Sequence, residues 1–391
     1  MLTKNIKFKN FIKKKNLRIK RILRNIINDK NLVKKYPLLE SLKKNYNYSY
    51  QKKKINLFKK FSEVNLVGMG GSILGAQTIY DFLNKKIQKK FDFVDNLQAA
   101  KKIDNKKKYT NLVISKSGNT IETIVNSNII INKKNKNIFV TENKKNYLYR
   151  LAENLKGEIV HHNNYIGGRY SVLSEVGMLP AELMGLKSKN FRQFNSLMKN
   201  KRFLNSLINN VGSILYYIKN QKFNSIIINY DEKSESLFKW YQQLVAESLG
   251  KKKKGLLPIV SNMPKDNHSV MQLYLDGFQN NFYTFFYVDE KKSKKLNNKI
   301  ILPSHKFLKN KSISKIIYSQ KKASENIFLK KNIPFRSFEV KKRDEKTLGE
   351  LFSFFILETI LLGKALKLNP YDQPAVELIK KETKKILTWI R

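Results

Sequence analysis

Cysteine is absent from this 391-residue chain. That excludes a disulfide framework and any thiolate-bound zinc or iron–sulfur site. Histidine is scarce as well: His161 and His162 are adjacent, while His268 and His305 stand alone. A histidine-rich metal cluster is therefore not expected, and no metal or other cofactor is assigned. Acidic residues are the third shortage, 30 against 78 lysines and arginines, for a formal net charge of +48. Alone, that excess points to nucleic acid or an anionic surface. The lysines, however, run from Lys4 to Lys385 and keep company with Asn and Ile throughout, as in Asn132-Lys133-Lys134-Asn135-Lys136-Asn137. This is a globally biased composition, and it predicts a solvated basic surface, not a binding stripe. It implies a general attraction for phosphorylated metabolites and no specific nucleic-acid partner.

Long apolar runs are also missing. A membrane span needs about 20 apolar residues, and the best candidate, Leu351 to Leu362, is interrupted by Ser353, Glu358 and Thr359. It reads as a buried helix, so no membrane is expected as a partner. Lys13-Lys14-Lys15 and Arg18 break any signal-peptide apolar region, and the cytosol is the expected compartment.

From Val64 onward short β-rich runs alternate with helical stretches. Val64–Val67, Asn111–Ile114, Asn137–Val140, Ser225–Ile228, Phe282–Val288 and Pro334–Val340 read as strands. Helices are expected from the glycine turn to Phe82, over Thr120–Ile131, Tyr147–Asn154 and about 190–219, and over Ser234–Leu249, 346–366 and 374–389. Such alternation predicts an α/β fold with parallel sheets. The length suits a helical N-terminal segment over 1–60, α/β units over 61–190 and 191–345, and a helical tail over 346–391. The two units could be distant copies of one fold.

Two loops stand where a strand hands over to a helix. Gly68-Met69-Gly70-Gly71-Ser72 lets a ligand approach the backbone closely, and the helix after it offers N–H groups and a positive dipole end to a phosphate. Ser72 would either cap that helix or donate its hydroxyl. The spacing does not give G-x-G-x-x-G, because Ile73 holds the third position. Ser115-Lys116-Ser117-Gly118-Asn119-Thr120 is dense in hydroxyls and carries a cation, which suits a ligand that only accepts hydrogen bonds. Ser117 or Thr120 as a plain N-cap is the simpler alternative. Both loops belong at the carboxyl ends of strands, where open α/β sheets hold ligands.

Four further segments carry less alone. Gly167-Gly168-Arg169-Tyr170-Ser171 reads first as a loop with a surface arginine, yet could aim a guanidinium into a pocket. Glu247, in Ala246-Glu247-Ser248-Leu249-Gly250-Lys251, opposes a helix dipole, an arrangement that makes a better base. His268, in Asp266-Asn267-His268-Ser269, is read at a helix start, where a neutral imidazole could shuttle a proton. Asn369-Pro370-Tyr371-Asp372-Gln373-Pro374 is a proline-bracketed turn with Lys380 on the helix after it.

Taken in order, these six segments resemble the glucose-6-phosphate isomerase (phosphoglucose isomerase) family over roughly residues 64–385. Asn164–Ser174 is similar to its first signature and Asn369–Lys380 to its C-terminal one. The resemblance implies two sugar-isomerase domains, each a three-layer αβα sandwich around a parallel sheet. It also implies a homodimer with a shared active site, in which the histidine can come from the neighbouring subunit. Gly71, Ser72, Ser115, Lys116, Ser117 and Thr120 would surround the sugar phosphate. Glu247 would move a proton between C2 and C1, Arg169 would stabilise the enediolate, His268 and Lys380 would assist ring opening, and Gln373 would position substrate. Asn119, Glu175, Asn267, Pro264-Lys265 and Ala375 depart from the family pattern and put loop geometry in question. Dual phosphoglucose/phosphomannose isomerisation, a non-catalytic sugar-phosphate sensor and a nucleic-acid binder are the alternatives.

Overall fold

The structure is a computed structural model that describes residues 2–11, 17–29, 31–97, 109–131 and 135–389. The chain enters through strand β1 (Ile6–Lys9) and then lays down β2 (Glu63–Gly68), β3 (Lys90–Val94), β4 (Thr110–Ile114), β5 (Lys136–Thr141) and β6 (Glu158–His161). A second series follows: β7 (Asn224–Asn229), β8 (Leu257–Asn262), β9 (Asn281–Val288) and β10 (Phe335–Val340).

The first sheet has the order β3-β2-β4-β5-β6, and every pairing is parallel. The second has the order β1-β10-β9-β7-β8 and is parallel except for β1, which joins β10 antiparallel. With β1 set aside, the two sheets are wound alike. In each, the second strand lies on one side of the first and the later strands on the other. The reversal opens a crevice at the carboxyl ends of β2 and β4, and again at β7 and β9, where doubly wound sheets bind ligands.

Helices cover both faces, so the central strands bury both sides. β4 and β9 are buried along their whole length, as expected of parallel strands written as continuous apolar runs. Register in the first sheet is pinned by an amide ladder: Asn65 Nδ2 donates to Asn111 Oδ1 and Asn111 Nδ2 to Asn137 Oδ1, each at 2.9 Å. A one-residue slip would break both bonds and strand buried polar groups.

Two expectations change. Where the sequence predicts helix through residues 1–60, Ile6–Lys9 is a strand. Ile6 is buried, and Phe8 meets Phe338 at 4.6 Å and Phe354 at 5.6 Å, while Lys7 stays exposed. This is period-2 alternation in a segment too short to announce itself. Where a helical tail is predicted over 346–391, the helix Glu345–Ala365 is instead the centre of the molecule, buried from Thr347 to Gly363. Only Pro374–Trp389 lies outside, with no buried residue.

That central helix also carries a charge into the core. Arg336 on β10 is fully buried and pairs with Glu358, with Nε donating to Thr284 at 2.9 Å and Nη1 to Asn210 at 2.9 Å. Tyr241 Oη donates to Glu358 at 2.9 Å. Removing one partner strands a buried charge. Glu358→Leu should therefore lower the unfolding free energy by about 3–5 kcal/mol, read from a urea midpoint. An unchanged midpoint would contradict this account of the core.

Candidate active site

Both anion loops stand at the carboxyl ends of adjacent strands, flanking the first crevice. After β2 the chain makes a 3-10 turn, Gly70–Ser72, and the helix Leu74–Phe82 starts only beyond it. Ser72 therefore does not cap that helix, whose N-cap is Ile73 without a side-chain bond. Gly71 is dictated by close approach: a Cβ there would lie 2.3 Å from the carbonyl carbon of Gly168 and 2.6 Å from the Arg169 nitrogen. The glycine turn and the Gly167-Gly168-Arg169 loop are thus in direct backbone contact.

The loop after β4 is braced by its neighbours. Ser115 Oγ and Thr120 Oγ1 share a hydrogen bond of 3.0 Å, and Asn119 N–H donates to Ser117 Oγ at 3.3 Å. Thr120 occupies the N-cap of helix Ile121–Ile130 without bonding its backbone, so the simple capping alternative does not describe this loop. Gly118 has φ +64°, and a Cβ there would meet the Asn146 amide at 2.0 Å. Asn119, the first family departure, uses its carbonyl to accept from Tyr147 N–H at 3.2 Å. Lys116 Nζ donates to the Asn164 carbonyl at 2.5 Å, which ties this loop to the arginine loop. Burial holds the Lys116 ammonium below the usual lysine range, against the pull of Glu142, with Lys144 and Arg169 adding to the depression.

Arg169 is not a surface arginine. It is 3% exposed, and every guanidinium N–H has a partner. Nε donates to Ser248 Oγ at 2.9 Å, Nη1 to Glu247 Oε2 and Gln373 Oε1 at 3.0 Å each, and Nη2 to the carbonyls of Pro370 at 2.8 Å and Asp372 at 3.0 Å. One side chain therefore joins the loop after β6, the helix Glu235–Leu249 and the 369–373 turn. Tyr170 reinforces the join, sharing a hydrogen bond with Ser248 Oγ at 2.8 Å and donating to Pro370 O at 3.1 Å. Lys251 fastens the turn from the far side, 3.0 Å from Asp372 and 3.1 Å from the Ser248 carbonyl.

Glu247 stands near the C-terminal end of its helix, with a quarter of its side chain exposed. Gln243, one turn earlier, donates to Glu247 Oε1 at 2.8 Å. Its own carbonyl oxygen is buried without a partner and lies against Gly70. The sequence reading missed Gln243, although the i,i+4 spacing to Glu247 on one helix face was available. Gly70, Gln77, Asp95, Gln243 and Glu247 line a cavity of about 770 Å³. A larger cleft of about 920 Å³ lies among Lys44, Lys187 and Lys199, but its carboxylates Asp344 and Glu345 are held by Lys342 and Lys86. None of the side chains that meet at Arg169 lines it.

The structure thus gathers Gly71, Ser115, Lys116, Thr120, Arg169, Glu247 and Gln373 about one crevice, with Ser72 and Ser117 on its loops. His268 and Lys380 are not gathered. His268 is exposed and ends a 3-10 turn, Lys265–His268, beyond the edge strand β8, so it does not open the helix Met271–Asp276 as expected. Lys380 is exposed and pairs with Glu377 at 2.6 Å. Among the described residues no cluster of His, Asp and Glu has metal-site geometry.

Comparison with known proteins places this geometry among relatives. The sequence model of a family described as phosphoglucose isomerase matches residues 39–256. A glucose-6-phosphate isomerase from Methanocaldococcus jannaschii is 33% identical over 344 residues, covering 82% of this chain and 83% of that protein. A probable glucose-6-phosphate isomerase from Methanococcus maripaludis is 30% identical and covers 93% and 86%. In fold, the chain is similar to a hypothetical protein from Thermus thermophilus, with a TM-score of 0.80, 20% identity and coverage of 95% and 94%. It is also similar to a glucose-6-phosphate isomerase from Chlamydia trachomatis, with a TM-score of 0.73, 16% identity and coverage of 99% and 89%.

The glycine contact and the lysine each give a test. Gly71→Ala must push Gly168 and Arg169 away, and a displacement near 1 Å costs about 10²-fold in rate. A fall of that order in kcat/KM is expected, and unchanged kinetics would contradict the contact. Because Lys116 loses its proton below the ordinary lysine range, affinity for inorganic phosphate should fall as pH rises toward that range. Lys116→Arg should hold its affinity to higher pH. Identical titration curves for the two proteins would rule Lys116 out.

Proposed function

We propose that this chain, which belongs to the phosphoglucose isomerase family, interconverts glucose 6-phosphate and fructose 6-phosphate. The observation that carries the reading is the Arg169–Glu247–Gln373 cluster standing beside two phosphate-type loops at one sheet crevice. The sugar phosphate is received by Ser72, Ser115, Lys116, Ser117 and Thr120, with Gly71 allowing close approach. Phosphate binding lies remote from the reacting carbons, so its binding energy orients them.

Glu247 takes the proton from C2 and returns it to C1. Arg169 exchanges its Nη1 contacts with Glu247 and Gln373 for the enediolate oxygen, and Gln373 helps to position the chain of the sugar. General base catalysis contributes about 10²–10⁴-fold, and a fixed cation at the developing oxyanion adds a comparable factor. Ring opening falls to His268 and Lys380. Both lie outside the cluster of their own chain, and the reading completes the site with a second copy in a homodimer. Support comes from helix Pro374–Trp389, which buries nothing and exposes Leu378, Ile379, Leu387 and Trp389. The exposed place of His268 beyond an edge strand supports it too.

The division into units over 61–190 and 191–345 belongs to the same proposal, and one parallel series of strands in each range supports it. So does a place in glycolysis and gluconeogenesis in the cytoplasm. No described helix is long and apolar enough to cross a membrane.

Glu247→Gln should lower isomerisation by about 10²–10⁴-fold and leave sugar-phosphate binding intact. A coupled assay with fructose 6-phosphate measures the first and calorimetry the second. Near-normal turnover of the variant would sink the assignment.

A further inference from the structure

Glu175 is a departure from the family pattern, and it is completely buried in the first turn of helix Glu175–Leu183. A carboxylate there is favoured by the helix dipole, but burial demands partners. It has two. Tyr46 Oη reaches both carboxylate oxygens, at 3.1 and 3.0 Å, and Ser49 N–H donates at 3.2 Å. His162 Nδ1 lies 3.7 Å from Oε2, beyond hydrogen-bond reach. Burial, and then the Glu175 charge beside it, push the Tyr46 hydroxyl well above the usual tyrosine range, so it stays a donor.

The Tyr46 link continues into the 163–168 loop, where His162 is also anchored. Asn163 Nδ2 donates to Tyr46 Oη at 2.9 Å, and His162 Nε2 lies 3.0 Å from the Ile166 carbonyl. A carbonyl only accepts, so Nε2 carries the proton in that bond. The same short loop presents the Asn164 carbonyl to Lys116 and passes through Gly168, against Gly71, into Arg169. One buried carboxylate therefore stands behind the phosphate-loop cation and behind the arginine that meets Glu247.

We infer that Glu175 is a positioning residue: through Tyr46 it fixes the 163–168 loop, and through that loop it sets Lys116 and Arg169. The inference rests on the isomerase reading for its kinetic consequence, not for its structural one.

Three variants and two readouts test it. Glu175→Ala should lower kcat/KM for fructose 6-phosphate by about 10²-fold, with KM raised, since the phosphate-loop lysine is displaced. Glu175→Gln keeps an acceptor for Tyr46 and Ser49 and should recover most of that loss. Tyr46→Phe keeps the ring, loses the link, and should show a smaller loss in the same direction. Combined with Glu175→Ala it should add little, because the two act as a unit. Hydrogen exchange over residues 163–168 should accelerate in Glu175→Ala and Tyr46→Phe. A lowered melting temperature with KM, kcat and loop exchange unchanged would show a purely structural role and overturn the inference. Should Glu175→Ala fail to fold, Tyr46→Phe decides the matter alone by the same readouts. If the parent protein turns over no sugar phosphate, the isomerase reading fails, and loop exchange still decides the positioning.

Discussion

The five hydrogen bonds of the Arg169 guanidinium are the constraint around which the site is organised. A buried guanidinium with an unpaired N–H would cost about 1–3 kcal/mol for each missing bond. The protein therefore has to bring Ser248, Glu247, Gln373 and two backbone carbonyls to one point. Those partners come from a helix of the second strand series and from a turn more than a hundred residues later. Satisfying one side chain thus docks the two halves of the chain and the start of the last helix, and it fixes the Glu247 carboxylate in place. Gly71 lets that arginine loop sit against the anion-binding turn.

The sheets prepare this meeting. Their shared winding leaves a crevice where the strand order reverses, and the first crevice is lined by the two loops that suit a phosphate. Glu247, the base in the proposed function, stands at its edge on a helix of the second strand series. The Lys116–Asn164 contact and the Gly71–Gly168 contact couple the two loops to the arginine loop. Neither His268 nor Lys380 reaches the cluster within one chain.

Much of this was legible in the sequence, for identifiable reasons. Parallel strands buried on both faces write continuous apolar runs, so β4, β5, β7 and β9 stood out, and the glycine-rich loop follows β2 and the serine-rich loop β4 directly. What stayed hidden depended on distant partners. Ile6–Lys9 is four residues in a lysine-rich stretch, and its mate on β10 lies over three hundred residues away. β8 carries Pro258, which weakens a strand signal. The GGR segment read as surface because the groups that bury Arg169 sit at 247–248 and 370–373. Glu175 looked like a disturbance of loop geometry, and only Tyr46 and Ser49 show what it holds. His268 was read at a helix start, but an intervening 3-10 turn moves it to an exposed corner.

The central claim is that a carboxylate beside Arg169 moves a proton between adjacent carbons of a sugar phosphate through an enediolate. The most direct measurement is to equilibrate fructose 6-phosphate with the protein in deuterium oxide and locate deuterium in the glucose 6-phosphate formed. Proton transfer by a partly exposed base predicts deuterium at C2. Product still without any deuterium at C2 after prolonged equilibration would contradict transfer through a solvent-exchangeable base, and with it the account.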